Sequence, residues 1–137
     1  MKKYVVDASI ILTEILESRK EIADQIKEYL ISAEKEKIEL FSTVFLKMEV
    51  ANGIGFNEKD IPKASRLLKV FFKLPIRFIT IDNVIYEESL STSYKLGTTV
   101  YDTSYHILAK AQNATFLTCD ENYYKKAKSL GDIELIG

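Results

Sequence analysis

A single cysteine, Cys119, is all the thiol chemistry this chain has, which excludes an intrachain disulfide framework and any cysteine-based zinc site. A reducing cytoplasm is the expected setting. No apolar run approaches membrane-spanning length. The first 16 residues hold two lysines and an apolar stretch, but Asp7 and Glu14 interrupt it and no small-residue cleavage pattern follows, so no signal peptide is expected. Global basic charge is missing as well: the formal net charge is −1, and arginine occurs only as Arg19, Arg66 and Arg77. Lysines gather locally, at Lys2 and Lys3, Lys35 and Lys37, and Lys125, Lys126 and Lys128, where solvated surface is the plainer explanation. No glycine-rich loop follows the first apolar run, which disfavours a nucleotide-binding Rossmann domain. There is no repeat, low-complexity tract or linker. What is present is ordinary for a globular protein: 137 residues, 47% hydrophobic and 28% charged, enough for one domain spanning 1–137 with a real core.

Short apolar runs alternate with helical periodicity. Strands are expected at 2–6, 38–42, 77–81, 115–118 and 133–136. Helices are expected at 9–17, at 20–35, where Ile22, Ile26, Tyr29 and Leu30 share a face, and at 44–56. Another should span 58–73, with Asn57 as its cap and Pro62 tolerated in its first turns. Asp82 should cap a helix that Gly97 ends, and helices at 100–112 and 120–130 complete the series. This alternation implies an α/β fold with a mostly parallel sheet covered on both faces.

Four acids stand where apolar and helical runs meet: Asp7, Glu49, Asp102 and Asp120. Asp7 and Asp120 follow apolar runs, at the strand edge where open α/β sheets bind ligands. Carboxylates brought together there repel, and a cluster survives at neutral pH only with protons or a hard cation, for which Mg2+ or Mn2+ is the natural candidate. Taken singly, Asp7, Asp102 and Asp120 can each be explained as helix caps. Glu49 is harder to dismiss, because its stripe holds Phe45 and Asn52 instead of other charges.

Four motifs, VVDAS at 5–9, FLKMEVANG at 45–53, YDTSYHILA at 101–109 and LTCDENY at 117–123, occur in this order along the chain. Through them the sequence resembles the PIN-domain ribonucleases over its whole length, and among them the compact VapC-type toxins of toxin–antitoxin pairs. The resemblance implies a three-layer α/β/α sandwich whose five-stranded sheet has the order 3-2-1-4-5, with the switch point between strands one and four. It matches Asp7, Glu49, Asp102 and Asp120 to the family's metal-binding acids. Ser9, Asn52, Thr118 and Asn122 match supporting polar positions, although Ser9 and Thr118 could equally satisfy backbone groups and Asn122 an exposed first turn. Two departures stand out: His106, four residues after Asp102, where the family more often has an apolar residue, and Thr103 in place of the common alanine. A lone histidine is more often hydrogen-bonded structure than an active-site group. Tyr101, Tyr105, Tyr123 and Tyr124 could stack on bases, with core packing the better explanation for most of them.

The activity implied is divalent-metal-dependent hydrolysis of RNA, in which a metal activates water, acts as a Lewis acid and orients the phosphate. The metal's charge also reconciles an acidic pocket with a polyanion. Implied partners are RNA, a cognate antitoxin and a second copy of the chain. A homodimer also draws on the helix at 58–73, where Leu67, Leu68, Val70, Phe71 and Phe72, with Leu74 just beyond, supply more apolar surface than one stripe needs. Two phosphotransfer folds with an aspartate after strand one are disfavoured. Haloacid-dehalogenase phosphatases need a second aspartate where this chain has Ser9, and response-regulator receivers need an acidic pair near that strand's end. The alternative from another class is a non-catalytic PIN-like scaffold for RNA binding or assembly.

Overall fold

Each apolar run is too short for a helix and is bounded by turn or capping residues, so it becomes a strand. The computed structural model describes residues 1–137 and holds β1 (Lys2–Val6), β2 (Ile38–Thr43), β3 (Ile76–Ile79), β4 (Thr115–Thr118) and β5 (Ile133–Leu135). Between them run α1 (Ala8–Leu16), α2 (Lys20–Glu34), α3 (Leu46–Asn57), α4 (Ile61–Phe72), α5 (Asn83–Leu96), α6 (Val100–Ala111) and α7 (Glu121–Ala127). The sheet order is β3-β2-β1-β4-β5 and every neighbouring pair is parallel, as the resemblance implies. Parallel neighbours need crossovers, so helices cover both faces and the molecule is an α/β/α sandwich. No helix is long and apolar enough to cross a membrane.

Two helices do most to position the strand ends. α6 lies across β1, β2 and β4, and its residues from Thr103 to Ala109 are all buried, which marks a helix enclosed on every side instead of one with a wet face. On another part of the fold α1 packs against α2, α3 and α4. Gly53 permits the close approach of α3, since a Cβ there would run into the Leu12 side chain. Ser42, fully buried in β2, donates to the carbonyl of Val6 at 2.6 Å and so fixes the last residue of β1.

Boundaries differ from the sequence expectation by a residue or two in several elements, including α1 and α3, and three elements differ for reasons the structure makes plain. β3 begins at Ile76 and stops at Ile79 because it is an edge strand whose only partner, β2, ends in register at Thr43. α4 begins three residues later than expected, with Asp60 as its cap accepting from the Lys63 amide at 3.0 Å; Asn57 instead ends α3 and donates to Gly53. Pro62 decides this, since from Asp60 it falls in the first turn, where its missing N–H is harmless. The last helix stops at Ala127 and tightens into a 3₁₀ turn, Lys128–Leu130, before Gly131.

α4 is less buried than its composition suggests. Phe71 is its one buried residue; Leu67, Leu68 and Leu74 pack partly against the core, while Ile61, Val70 and Phe72 are exposed.

Candidate metal and nucleic-acid site

Asp7 leaves the carboxyl end of β1 in extended backbone and caps α1, where its Oδ1 accepts from the Ile10 amide at 3.1 Å and from Ser9 Oγ at 2.5 Å. Its Oδ2 accepts from Thr118 Oγ1 at 2.6 Å, so the carboxylate bridges the ends of β1 and β4 across the switch point. Each hydroxyl has one proton and gives it to Asp7; Ser9 then accepts from the Cys119 amide at 2.9 Å, and Thr118 from the Asp120 amide at 3.0 Å. Ser9 and Thr118 therefore do both things the sequence left open. They hold the acid and satisfy backbone. Burial pushes the Asp7 carboxyl up to about 6 against the pull of those hydrogen bonds, with a smaller push from the charge of Asp102.

Glu49 lies in the first turn of α3 and accepts a 2.5 Å hydrogen bond from the Tyr105 hydroxyl, reaching over from α6. Burial raises its pKa, the Tyr105 bond holds it back and Asp102 adds repulsion. Asp102 sits in the first turn of α6 but does not cap it. That role belongs to Thr99, whose Oγ1 accepts from the Asp102 amide at 3.1 Å. Burial, opposed by Thr99 and helped by Asp120, raises the Asp102 pKa too. Asp120 caps α7, taking the Tyr123 amide at 3.0 Å. Mutual repulsion raises the pKa of all three shifted acids, as their crowding leads one to expect, and burial, which comes first for each, raises them further.

Asp102 stands between two clefts. One, about 480 Å³, is lined by Glu49, Asn52, Thr99 and Asp102 and by the apolar Phe45, Met48 and Tyr101. The other, about 130 Å³, is polar and runs from Thr98 and Thr99 past Asp102 to Asp120, Asn122 and Lys126. Asp7 lines neither; it is 8% exposed, and the charge of Asp102 reaches it. The four acids thus share one electrostatic neighbourhood centred on Asp102, yet no three are drawn into a cluster set to hold a metal ion. Each is held by its own donor instead. The donor set is carboxylate and hydroxyl oxygen, the kind that suits a hard cation. A separate cleft of about 430 Å³ lies between Ala33, Ile38, Leu40 and Ile76, at the amino ends of strands, away from the edge where such sheets bind ligands.

His106 faces away from this chemistry. Its Nε2 lies 2.7 Å from the Gly131 carbonyl, which can only accept, so Nε2 carries the proton and Nδ1 accepts from the Tyr123 hydroxyl at 2.9 Å. Fully buried, with its pKa lowered chiefly by that burial, it is neutral structure tying α6 to α7 and the turn after it. Tyr105 and Tyr123 are buried as well, Tyr124 is half-buried, and Tyr101 remains 64% exposed. Sequence reasoning missed the bond from Tyr105 to Glu49; the available signal was its place three residues after Asp102, on the same helix face.

A family model described as the PIN domain matches residues 4–129. No curated protein matches the sequence. Among solved structures, one similar chain comes from Pyrobaculum aerophilum, at 23% identity and TM-score 0.67, covering 96% of this chain and 83% of that one. A toxin–antitoxin complex from Klebsiella pneumoniae is similar at 15% identity and TM-score 0.71, with 98% of each chain covered. VapBC2 from Rickettsia felis, bound to a DNA fragment from its promoter, is similar at 18% identity and TM-score 0.70, covering 97% of this chain and 96% of that one.

Proposed function

We propose that this chain, which belongs to the PIN-domain family, is a divalent-metal-dependent endoribonuclease that hydrolyses phosphodiester bonds in single-stranded or loop RNA and serves as the toxin of a toxin–antitoxin pair. The observation that carries this reading is the position of Asp102, between two clefts and within charge reach of Asp7, Glu49 and Asp120. These four acids would hold Mg2+ or Mn2+, which when bound supplies Lewis acidity and neutralises phosphate charge. The chain's own part is preorganisation. Ser9 and Thr118 fix both oxygens of Asp7, Tyr105 orients Glu49, and Thr99 sets the start of α6. Alterations to such supports around metal ligands cost about 10–100-fold in affinity or activity.

The apolar side of the larger cleft favours an unpaired strand. Tyr101 and Phe45 meet edge to face at 6.5 Å, with Tyr101 exposed beside Glu49 and Asp102, a surface on which an unstacked base can lie. Cleavage of a single-stranded RNA should therefore require Mg2+ or Mn2+, stop in chelator and resume when metal is restored. Equal cleavage with and without chelator would refute the metal dependence. RNA binding with no cleavage under any metal would leave the scaffold alternative standing.

The toxin reading draws on neighbours of the same fold that are toxin–antitoxin assemblies. We further place a second copy of the chain on the exposed face of α4, where Ile61 is 80%, Val70 51% and Phe72 57% exposed. Phe72→Glu is then expected to sediment as a folded monomer where the wild type is a dimer. A wild-type monomer at high concentration would contradict this.

A further inference from the structure

Lys126 is the only basic side chain lining either cleft beside Asp102. Its hydrogen-bond partner is a backbone carbonyl, as it is for Lys59, which donates to the Phe56 carbonyl at 3.2 Å but lines neither cleft. Lys125, one residue earlier, pairs with Glu121 at 3.2 Å, and Lys27, Lys63 and Lys110 each hold a carboxylate too. Lys126 instead donates to the carbonyl of Gly97 at 3.1 Å. Gly97 ends α5 in the left-handed region, at φ 69°, two residues before Thr99 opens α6. The ammonium is therefore tethered to the wall of the polar cleft that also holds Asp102 and Asp120, without forming an ion pair with either.

That arrangement is hard to explain as charge balance within the protein. A lysine meant to neutralise the acids would close on them, whereas Lys126 is exposed, lines their cleft and is paired to neither. A polyanion entering an acidic crevice needs fixed positive charge, and this is the one basic group lining the clefts that can supply it. We propose that Lys126 is the phosphate-binding residue of the site, gripping a backbone phosphate of the RNA strand on the α7 side of Asp102. The inference rests on the functional reading above. It also gives the strand a path: a base over Phe45 and Tyr101 on one side of Asp102, and the neighbouring backbone at Lys126 on the other. Exchanging the Gly97 carbonyl for phosphate oxygens costs little, because an ammonium on a flexible stem has three rotatable donors.

The competing explanation is a structural clamp, in which Lys126 merely ties α7 to the end of α5. Steady-state cleavage of a short single-stranded RNA at saturating Mn2+, repeated across monovalent salt concentrations, separates the two. Lys126→Gln is expected to raise KM about tenfold, the worth of one charge-assisted hydrogen bond, with kcat within about threefold of wild type. The salt dependence of log KM should become shallower by about 0.7, as for one lost phosphate contact on a single strand. Lys126→Arg should restore both, and the melting temperature of Lys126→Gln should equal that of the wild type. Unchanged KM and salt slope in a wild type that cleaves would sink this assignment alone. A raised KM that follows a lowered melting temperature and is not restored by arginine would establish the clamp. A wild type that neither binds nor cleaves RNA would sink the functional reading, and this one with it.

Discussion

Asp7→Asn is expected to melt at a higher temperature than the wild type above pH 6 when no divalent ion is present. The Asp7 carboxyl, buried and held by Ser9, Thr118 and the Ile10 amide, has its pKa raised from 3.8 to about 6, so the folded protein binds that proton more tightly than the unfolded chain does. The resulting stability is fully present below pH 3.8 and is lost as the pH rises through about 6. Two units correspond to about 3 kcal/mol as an order of magnitude, or roughly 10 °C for a chain of this size. Asparagine keeps an oxygen for Ser9 and Ile10 and offers its amide to the Thr118 hydroxyl, and it carries no charge to desolvate. The two proteins should converge in melting temperature near pH 4. Above neutrality, millimolar Mg2+ or Mn2+ should raise the wild type and leave the variant unmoved. A variant less stable than wild type at pH 7.5, or equal divalent shifts in both, would contradict the account.

The parts of the fold legible in the sequence are those that local chemistry decides. Asp7, Asp82 and Asp120 cap α1, α5 and α7 where their positions indicate, and Gly97 ends α5 in the left-handed region. The boundary of α4 was also present in the sequence, but only if Pro62 is weighed before Asn57, since the proline admits Asp60 as the cap and not the earlier residue. The end of β3 was not legible, because it is set by where β2 runs out. The same division holds in the site. The four acids could be picked out one by one, but what holds them could not. Thr118 reaches Asp7 across 111 residues and Tyr105 reaches Glu49 across 56, contacts that exist only after α6 is enclosed over the sheet. For the same reason only part of the cause of the raised pKa values was legible: repulsion follows from bringing acids together, whereas burial, the larger cause, requires the packed structure.

Asp102→Asn should have the largest effect on activity of any single substitution in the site. Its carboxylate borders both clefts and interacts with the charges of the other three acids, so its loss removes the common point of the arrangement. Cleavage of single-stranded RNA is expected to fall by more than the ~10–100-fold that altering a supporting group costs. Tyr105→Phe, which strips only the hydroxyl that holds Glu49, should stay within that smaller range. The fold should survive in Asp102→Asn, because Thr99 and not Asp102 caps α6. Comparable activity in Asp102→Asn and wild type would remove Asp102 from the centre of the site.

The most direct test of the central claim, that the site around Asp102 binds a divalent ion, is a calorimetric titration of Mn2+ into wild type and Asp102→Asn at pH 7.5, without RNA. Saturable binding to the wild type that is at least about tenfold weaker in the variant is the predicted result. No binding to the wild type, or equal affinity in both proteins, would contradict it.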